Sequence, residues 1–333
     1  MKAFIIDRYK PKDGMRKAEM PEPKLGADDV LVQLYAAGVN LLDSKIESGE
    51  FKAMLRYKFP LIMGHDVAGV VVKVGARVKK VKTGDEVYAR PADYRIGAFA
   101  EFIAIKEADV AIKPTLISME EAASIPLVGL TAWQALVEMG NLQKGQKVFI
   151  QAGSGGVGTF AIQLAKHLGA TVATTTSAAN AALVKSLGAD VVIDYKKEDF
   201  AKILTDYDLV LNSQDAKTLE KSLSVLKSGG KLISITGPPD PKFAKEAGLN
   251  GILKAVMFLL SYGIRKKAKR LGVKYSFLFM RAEGSQLAKI TGLMNSGAIR
   301  PVVDKVFPFD EANEALTYVE SSRAKGKVVL KIK

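Results

Sequence analysis

The glycines of Gly153-Ser154-Gly155-Gly156-Val157-Gly158 are the residues of this chain whose type and spacing best suit chemistry, and that chemistry is the grip of a pyrophosphate. In such a turn the first glycine (Gly153) permits a tight reversal. The second (Gly155) lets backbone approach the phosphates, and the third (Gly158) lets the next helix pack on the preceding strand. That helix then offers unpaired N–H groups and the positive end of its dipole. The spacing alone is a weak signal, but its context is a strong one. A β-prone run, Lys147-Val148-Phe149-Ile150, leads in. Phe160, Ile162, Leu164, Ala165 and Leu168 follow at helical spacing up to Gly169, and a second β-rich run covers 170–176.

The end of that second run bears on which dinucleotide fits. A site for NAD usually carries Asp or Glu about 20 residues on, to hold the ribose 2′-hydroxyl. This chain has Thr174-Thr175-Thr176-Ser177-Ala178-Ala179-Asn180 there, with no acid and with Lys185 nearby. Hydroxyls and a lysine suit a 2′-phosphate, and no carboxylate stands there to repel it. NADP(H) is therefore expected over NAD(H).

Elements on both sides must position this turn. With 333 residues, 48% of them hydrophobic, the chain is long enough for about two domains. Short β runs dominate residues 1–122, at 2–6, 30–36, 66–74, 86–89 and 98–105, and point to a compact, partly closed β domain. Ser118 and Glu121 form a capping box that opens a helix. Pro126 is expected to interrupt it, and 129–139, with the only tryptophan, Trp133, to form another. From 147 onward strands alternate with helices, which argues for an open parallel sheet of at least five strands. The last strand, 275–280, would lie at the sheet edge and invite pairing, so a homodimer is expected. A terminal strand at 327–332 has the alternation to return to the first domain.

Composition narrows the partners. There is no cysteine, which excludes disulfides, thiolate chemistry and cysteine-ligated zinc. His65 and His167 are the only histidines, so no metal is expected. The net charge of +14 attracts anions such as a phosphorylated cofactor or anionic lipid. No nucleic-acid module and no basic stripe interleaved with aromatics is present, and no nucleic-acid partner is expected. The start, Met1-Lys2-Ala3-Phe4-Ile5-Ile6-Asp7, has a strand's pattern rather than a signal peptide's, and a cytoplasmic location is expected. Residues 252–264 are apolar, contain Lys254 and run into Arg265-Lys266-Lys267-Ala268-Lys269-Arg270. They fall short of the roughly 20 apolar residues that span a bilayer. A helix packed on the sheet or lining a cleft is expected in preference to a membrane-surface helix with a basic flank.

Several segments occur in one order: Gly64-His65-Asp66-Val67-Ala68-Gly69, Gly84-Asp85-Glu86-Val87, Gly97-Ala98-Phe99-Ala100-Glu101, the 153–158 turn, and Gly326-Lys327-Val328-Val329-Leu330. As a set covering nearly the whole chain they resemble the medium-chain dehydrogenase/reductase superfamily. Within it the chain resembles the zinc-free quinone oxidoreductase and 2-alkenal (enone) reductase branch. The resemblance implies an α/β fold: a GroES-like β domain (1–122 plus 284–333) and a Rossmann domain with a doubly wound parallel sheet (123–283), with the active site in the cleft between them. Ala37-Gly38-Val39-Asn40 puts Asn40 where zinc alcohol dehydrogenases carry a catalytic cysteine, and their four-cysteine lobe is missing. Without a Lewis acid, alcohol–ketone interconversion is hard. A quinone or the β-carbon of an enone needs less help than positioning beside the nicotinamide.

Matching positions imply roles. Asn40 and Lys45, in an Asn-x-x-Asp-x-Lys pattern with Asp43, resemble the polar residues by the nicotinamide and the acceptor, and either could donate to a developing enolate oxygen. Thr131 resembles the threonine near the nicotinamide carboxamide. Ser177, Lys185 and Tyr195 resemble the adenosine-phosphate contacts, and Asn212 and Gly237, at the ends of later strands, join the cofactor set with Ser154, Gly156 and Val157. Residues 323–327, including Arg323 and Lys327, resemble the tail that closes over the cofactor. His65 matches a zinc ligand of the zinc branch and is expected here to be a structural hydrogen-bonder. Asn212-Ser213-Gln214-Asp215-Ala216 departs from the family's Asp-x-x-Gly-Gly, so weaker binding or a reshaped loop is expected. Residues 252–270 are longer and more apolar than in compact members and would cover a pocket for an apolar small-molecule acceptor. Two other readings stay open: an enoyl-thioester reductase, whose CoA ester would suit the positive charge, and a non-catalytic NADPH-binding partner protein.

Overall fold

The computed structural model describes residues 1–52 and 54–333. It divides into two units, Met1–Leu130 with Arg281–Lys333, and Thr131–Met280.

The first unit is built on strand Asp29–Val39, whose buried apolar run includes Val30, Val32 and Leu34. It pairs antiparallel with Asp66–Val74, Phe102–Lys106 and Lys327–Lys331, the chain's last strand. The sheet extends from there through Glu86–Ala89 to Val110–Ile112 on one side and to Val303–Pro308 on the other. A smaller sheet pairs Lys2–Ile6 with Arg16–Glu19 and Leu61–Ile62. Helix Met119–Ala123 opens on the expected reciprocal cap, Ser118 Oγ accepting from the Glu121 amide at 3.1 Å and Glu121 Oε2 accepting from the Ser118 amide at 2.9 Å. The helix lies so close to the central strand that a Cβ at Gly38 would stand 2.5 Å from the Ala123 carbonyl oxygen. Pro126 marks the expected break after helix Met119–Ala123, but the next helix, Pro126–Trp133, begins at the proline itself rather than at 129. The proline's missing N–H and fixed φ suit a first-turn position. The helix continues into a π-helical turn, Gln134–Met139. The strand expected at 98–105 is confined to Phe102–Lys106, because the segment from Gly97 to Phe99 bonds to Gly64 and Met63 instead.

The second unit is a six-stranded parallel sheet. Counted along the chain from Lys147–Ile150, the spatial order is third, second, first, fourth, fifth, sixth, which is the doubly wound dinucleotide-binding order. The order reverses between Lys147–Ile150 and Tyr207–Asn212, so ligands are expected beyond the carboxyl ends of those two strands. Lys274–Phe277 forms the edge. Residues 252–264 pack on their unit only in part, through Met257, Ser261 and Ile264. They form helix Gly251–Leu260 and the start of Tyr262–Arg270, and Met257 is the one buried residue of the first helix. The reason is that apolar residues occupy both faces of this helix, and its own unit covers only one.

Candidate dinucleotide turn and a buried polar cluster

Strand Lys147–Ile150 ends in a turn held by its neighbour. The Gly153 amide donates to the Thr175 carbonyl at 2.9 Å, and the Ala152 amide to Thr175 Oγ1 at 3.2 Å. Ala152 takes a φ of 51°, a left-handed conformation that alanine rarely adopts and that the surrounding bonds impose. The three glycines then differ sharply. A Cβ at Gly153 would lie 2.2 Å from Thr174 Oγ1, and one at Gly158 would lie 2.3 Å from the Ala152 carbonyl oxygen. Both are closed by packing. A Cβ at Gly155 would find only that carbonyl, at 3.4 Å, so this glycine faces open space. Gly155 caps helix Gly156–His167. The amides of Gly156, Val157 and Gly158 stand in its first turn, where no preceding helical carbonyl can accept from them. Gly158→Ala is therefore expected to overpack this joint and cost about 1–3 kcal/mol of stability. Thermal unfolding would check this, and an unchanged midpoint would contradict the tight helix–strand contact.

At the end of the second strand, Thr176 Oγ1 donates to Ser154 Oγ at 2.9 Å and Asn180 Nδ2 to the same oxygen at 3.2 Å. Asn180 Oδ1 is buried with no hydrogen-bond partner among the described residues, an acceptor left over beside the turn. The Tyr195 amide donates to the Thr176 carbonyl at 3.2 Å, so Ser154, Thr176, Ser177, Asn180 and Tyr195 gather at adjoining strand ends. Tyr195 is 60% exposed. Lys185 is exposed on helix Ala181–Ser186. Thr176 and Asn180 lay within the hydroxyl-rich stretch, but nothing in its spacing marked which of them would turn towards Ser154.

Asn212 is fully enclosed. Its Nδ2 donates to Gln151 Oε1 at 2.6 Å, and its Oδ1 accepts from Ser234 Oγ at 2.6 Å. Ser234 Oγ also accepts from the Gly237 amide at 2.8 Å, and a Cβ at Gly237 would meet the Tyr275 hydroxyl at 2.6 Å. The loop that departs from Gly-Gly runs into helix Ala216–Ser222, capped by Asp215. The amide of Thr218, with its hydroxyl, holds the Asp215 carboxyl below its ordinary range.

In the first unit a polar cluster is buried. Lys327 Nζ donates to the Val39 carbonyl at 3.1 Å, to Asn40 Oδ1, and to Asp66 Oδ2 at 3.2 Å. Asn40 Nδ2 donates to the same Asp66 oxygen at 2.9 Å, and Asp66 Oδ1 accepts from the Leu127 amide at 2.7 Å. Asn40 thus spends both ends of its amide inside the protein. Asp43 accepts from the Asn40 amide at 2.8 Å and from His65 Nδ1 at 2.6 Å, and His65 Nε2 is buried without a hydrogen-bond partner among the described residues. Lys45 lies on the same helix, Leu41–Glu47, and pairs with Glu50 at 3.0 Å. Burial, with Glu320 and Asp43 near it, pushes the Glu47 carboxyl up. Thr131 is buried within helix Pro126–Trp133, and Arg323 is exposed between helix Ala312–Glu320 and the last strand.

Residues 26–115 match the alcohol dehydrogenase GroES-like domain, and residues 187–330 match a family described as zinc-binding dehydrogenase. A mitochondrial NAD(P)H oxidoreductase RTN4IP1 from Danio rerio is 36% identical over all of this chain and 91% of its own length. A chloroplastic NADPH-dependent alkenal/one oxidoreductase from Arabidopsis thaliana is 35% identical over 99% of this chain and 79% of its own. The structure of a quinone oxidoreductase from Coxiella burnetii superposes with a TM-score of 0.87 at 28% identity, covering 100% of this chain and 99% of that one. The donor set does not fit zinc, which one of these descriptions implies. Among the described residues no group of three or more His, Cys, Asp or Glu could hold a metal ion. The turn fits a dinucleotide: an open glycine, free first-turn amides and an unpaired acceptor at Asn180.

Proposed function

The chain belongs to the medium-chain dehydrogenase/reductase superfamily, among relatives of the quinone and alkenal/one oxidoreductases, and from that premise we propose an NADP(H)-dependent, zinc-independent reductase of quinones or of the C=C bond of α,β-unsaturated carbonyls. The observation that carries this reading is the glycine turn, closed by packing at Gly153 and Gly158 and open at Gly155. The amides of Gly156, Val157 and Gly158 would hold the pyrophosphate. Ser154, Ser177, Lys185 and Tyr195 would hold the adenosine phosphate end, while Asn180 Oδ1, an acceptor only, would take a hydrogen bond from an adenosine hydroxyl or amino group. The bound reduced nicotinamide supplies the hydride that a conjugated acceptor takes up. The chain's own task is then orientation. Asn40, with no amide group to spare, acts as a positioning residue for the Asp66–Lys327 pair. Lys45 has three donors and gives one to Glu50, so it is the group we assign to donate to the developing enolate oxygen.

Turnover of NADPH with a benzoquinone, a short enone, a long 2-alkenal, an enoyl-CoA and, with NADP⁺, a secondary alcohol tests the reading. Oxidation by quinone or enone and none with alcohol is expected. Preference for enoyl-CoA would favour a thioester reductase, and binding without any turnover a non-catalytic role.

Lys185 tests the choice of cofactor. An exposed charge pair is worth about 1 kcal/mol, or about fivefold in Kd. Lys185→Ala is expected to weaken NADPH by about that factor and leave NADH unchanged. Equal losses for both, in a fluorescence titration, would remove Lys185 from the 2′-phosphate.

A further inference from the structure

Helix Gly251–Leu260 is apolar on two sides. Met257 is buried, with Leu253 half-buried beside it. Away from them, Ile252, Val256 and Leu259 recur at positions i, i+4 and i+7, joined by Phe258 and Leu260, and all five are exposed, Ile252 by 78% and Leu259 by 70%. Single exposed leucines are ordinary, but a continuous apolar stripe marks a surface that something covers. A helix hydrophobic all round belongs in a buried setting.

The neighbourhood says what the cover is. Residues 241–270 contain eight Lys or Arg and a single acid, Glu246, a net +7 that is half of the chain's +14. Lys267 reaches Glu220 at 2.5 Å, and Lys242 reaches Glu246 at only 3.8 Å. Lys245, Lys254, Lys269 and Arg270 have no acidic partner within 4.0 Å among the described residues. A second copy seated on this face would bring the same +7 against itself. An anionic surface would not: each Lys or Arg near one strengthens partitioning roughly fivefold. Among the described residues no helix is long and apolar enough to cross a membrane.

We propose that this face lies on an anionic lipid bilayer. Helix Gly251–Leu260 sets Ile252, Val256 and Leu259 into the headgroup–acyl boundary, and helix Tyr262–Arg270 lays its basic residues against the phosphates. The inference is independent of which acceptor is reduced.

Flotation of the full chain with phosphatidylcholine vesicles, with and without phosphatidylserine, tests it. The protein floats with the anionic vesicles and is released by salt. Ile252→Glu with Leu259→Glu lowers the bound fraction about tenfold or more, as does Lys269→Glu with Arg270→Glu. Circular dichroism of both pairs stays native, because all four side chains are exposed. Three results would overturn the proposal. One is failure to float with anionic vesicles. Another is equal flotation with and without phosphatidylserine. The third is unchanged flotation of the Ile252→Glu/Leu259→Glu protein, and if light scattering then showed a dimer turned monomer, a second copy would be the occupant.

Discussion

Gly155→Asp is expected to leave a folded protein that no longer binds NADPH. The backbone at Gly155 has φ −81° and ψ 173°, which any residue adopts. The nearest atom to a new Cβ is 3.4 Å away. Aspartate is moreover a preferred N-cap, since its carboxylate accepts from amides of the first helical turn. The substitution therefore gives the helix its own anion in the place where the pyrophosphate would sit. At about 4 Å and an effective dielectric of about 20, two unit charges repel by about 4 kcal/mol. That is a loss of roughly a thousandfold in affinity. The thermal midpoint without cofactor should hold or rise slightly, in contrast to Gly158→Ala. Unchanged affinity in a fluorescence titration would sink the assignment of the turn. A collapsed midpoint would show that Gly155 is not open.

Asp66→Ala should be among the most destabilising single changes in the first unit. Asp66 and Lys327 are both buried, and the carboxylate also accepts from Asn40 Nδ2 and from the backbone amide of Leu127. Removing one partner of a buried pair leaves the other charge uncompensated, at a cost of about 3–5 kcal/mol. Lys327 would retain only the Val39 carbonyl and Asn40 Oδ1. Lys327→Met combined with Asp66→Leu should recover only part of the loss, since it removes the uncompensated charge but leaves the Asn40 side chain and the Leu127 amide without these partners. Chemical denaturation of the single and double variants measures this. A loss below about 0.5 kcal/mol for Asp66→Ala, or no recovery in the double variant, would contradict a closed ion pair.

Local patterns carried much of this structure. The glycine turn was legible because tight reversal, backbone approach and helix–strand packing each require glycine at a set spacing, and the strand and helix around it keep distinct apolar periods. The Ser118–Glu121 cap was legible because its two bonds span three residues. The buried cluster was not. Asp66 and Lys327 are 261 positions apart, and no local period links them. By sequence Asn40 and Lys327 are expected to turn towards ligands, and only the folded sheet reveals that they bond to each other. Pro126 marks the break between two helices in the sequence, but it does not tell that the second begins at the proline itself rather than at 129, as it does because proline suits a first-turn position. The helix at 251–260 shows a further limit. Periodicity tells that residues are apolar, but not whether the protein itself has a surface to cover them.

The most direct test of the account is to follow the label from NADPH deuterated at the transferring nicotinamide C4 position into an α,β-unsaturated ketone. The account predicts a saturated ketone with deuterium on the β-carbon, formed at the same rate with and without a zinc chelator. Deuterium on the carbonyl carbon of an allylic alcohol, or activity lost to the chelator, would contradict it.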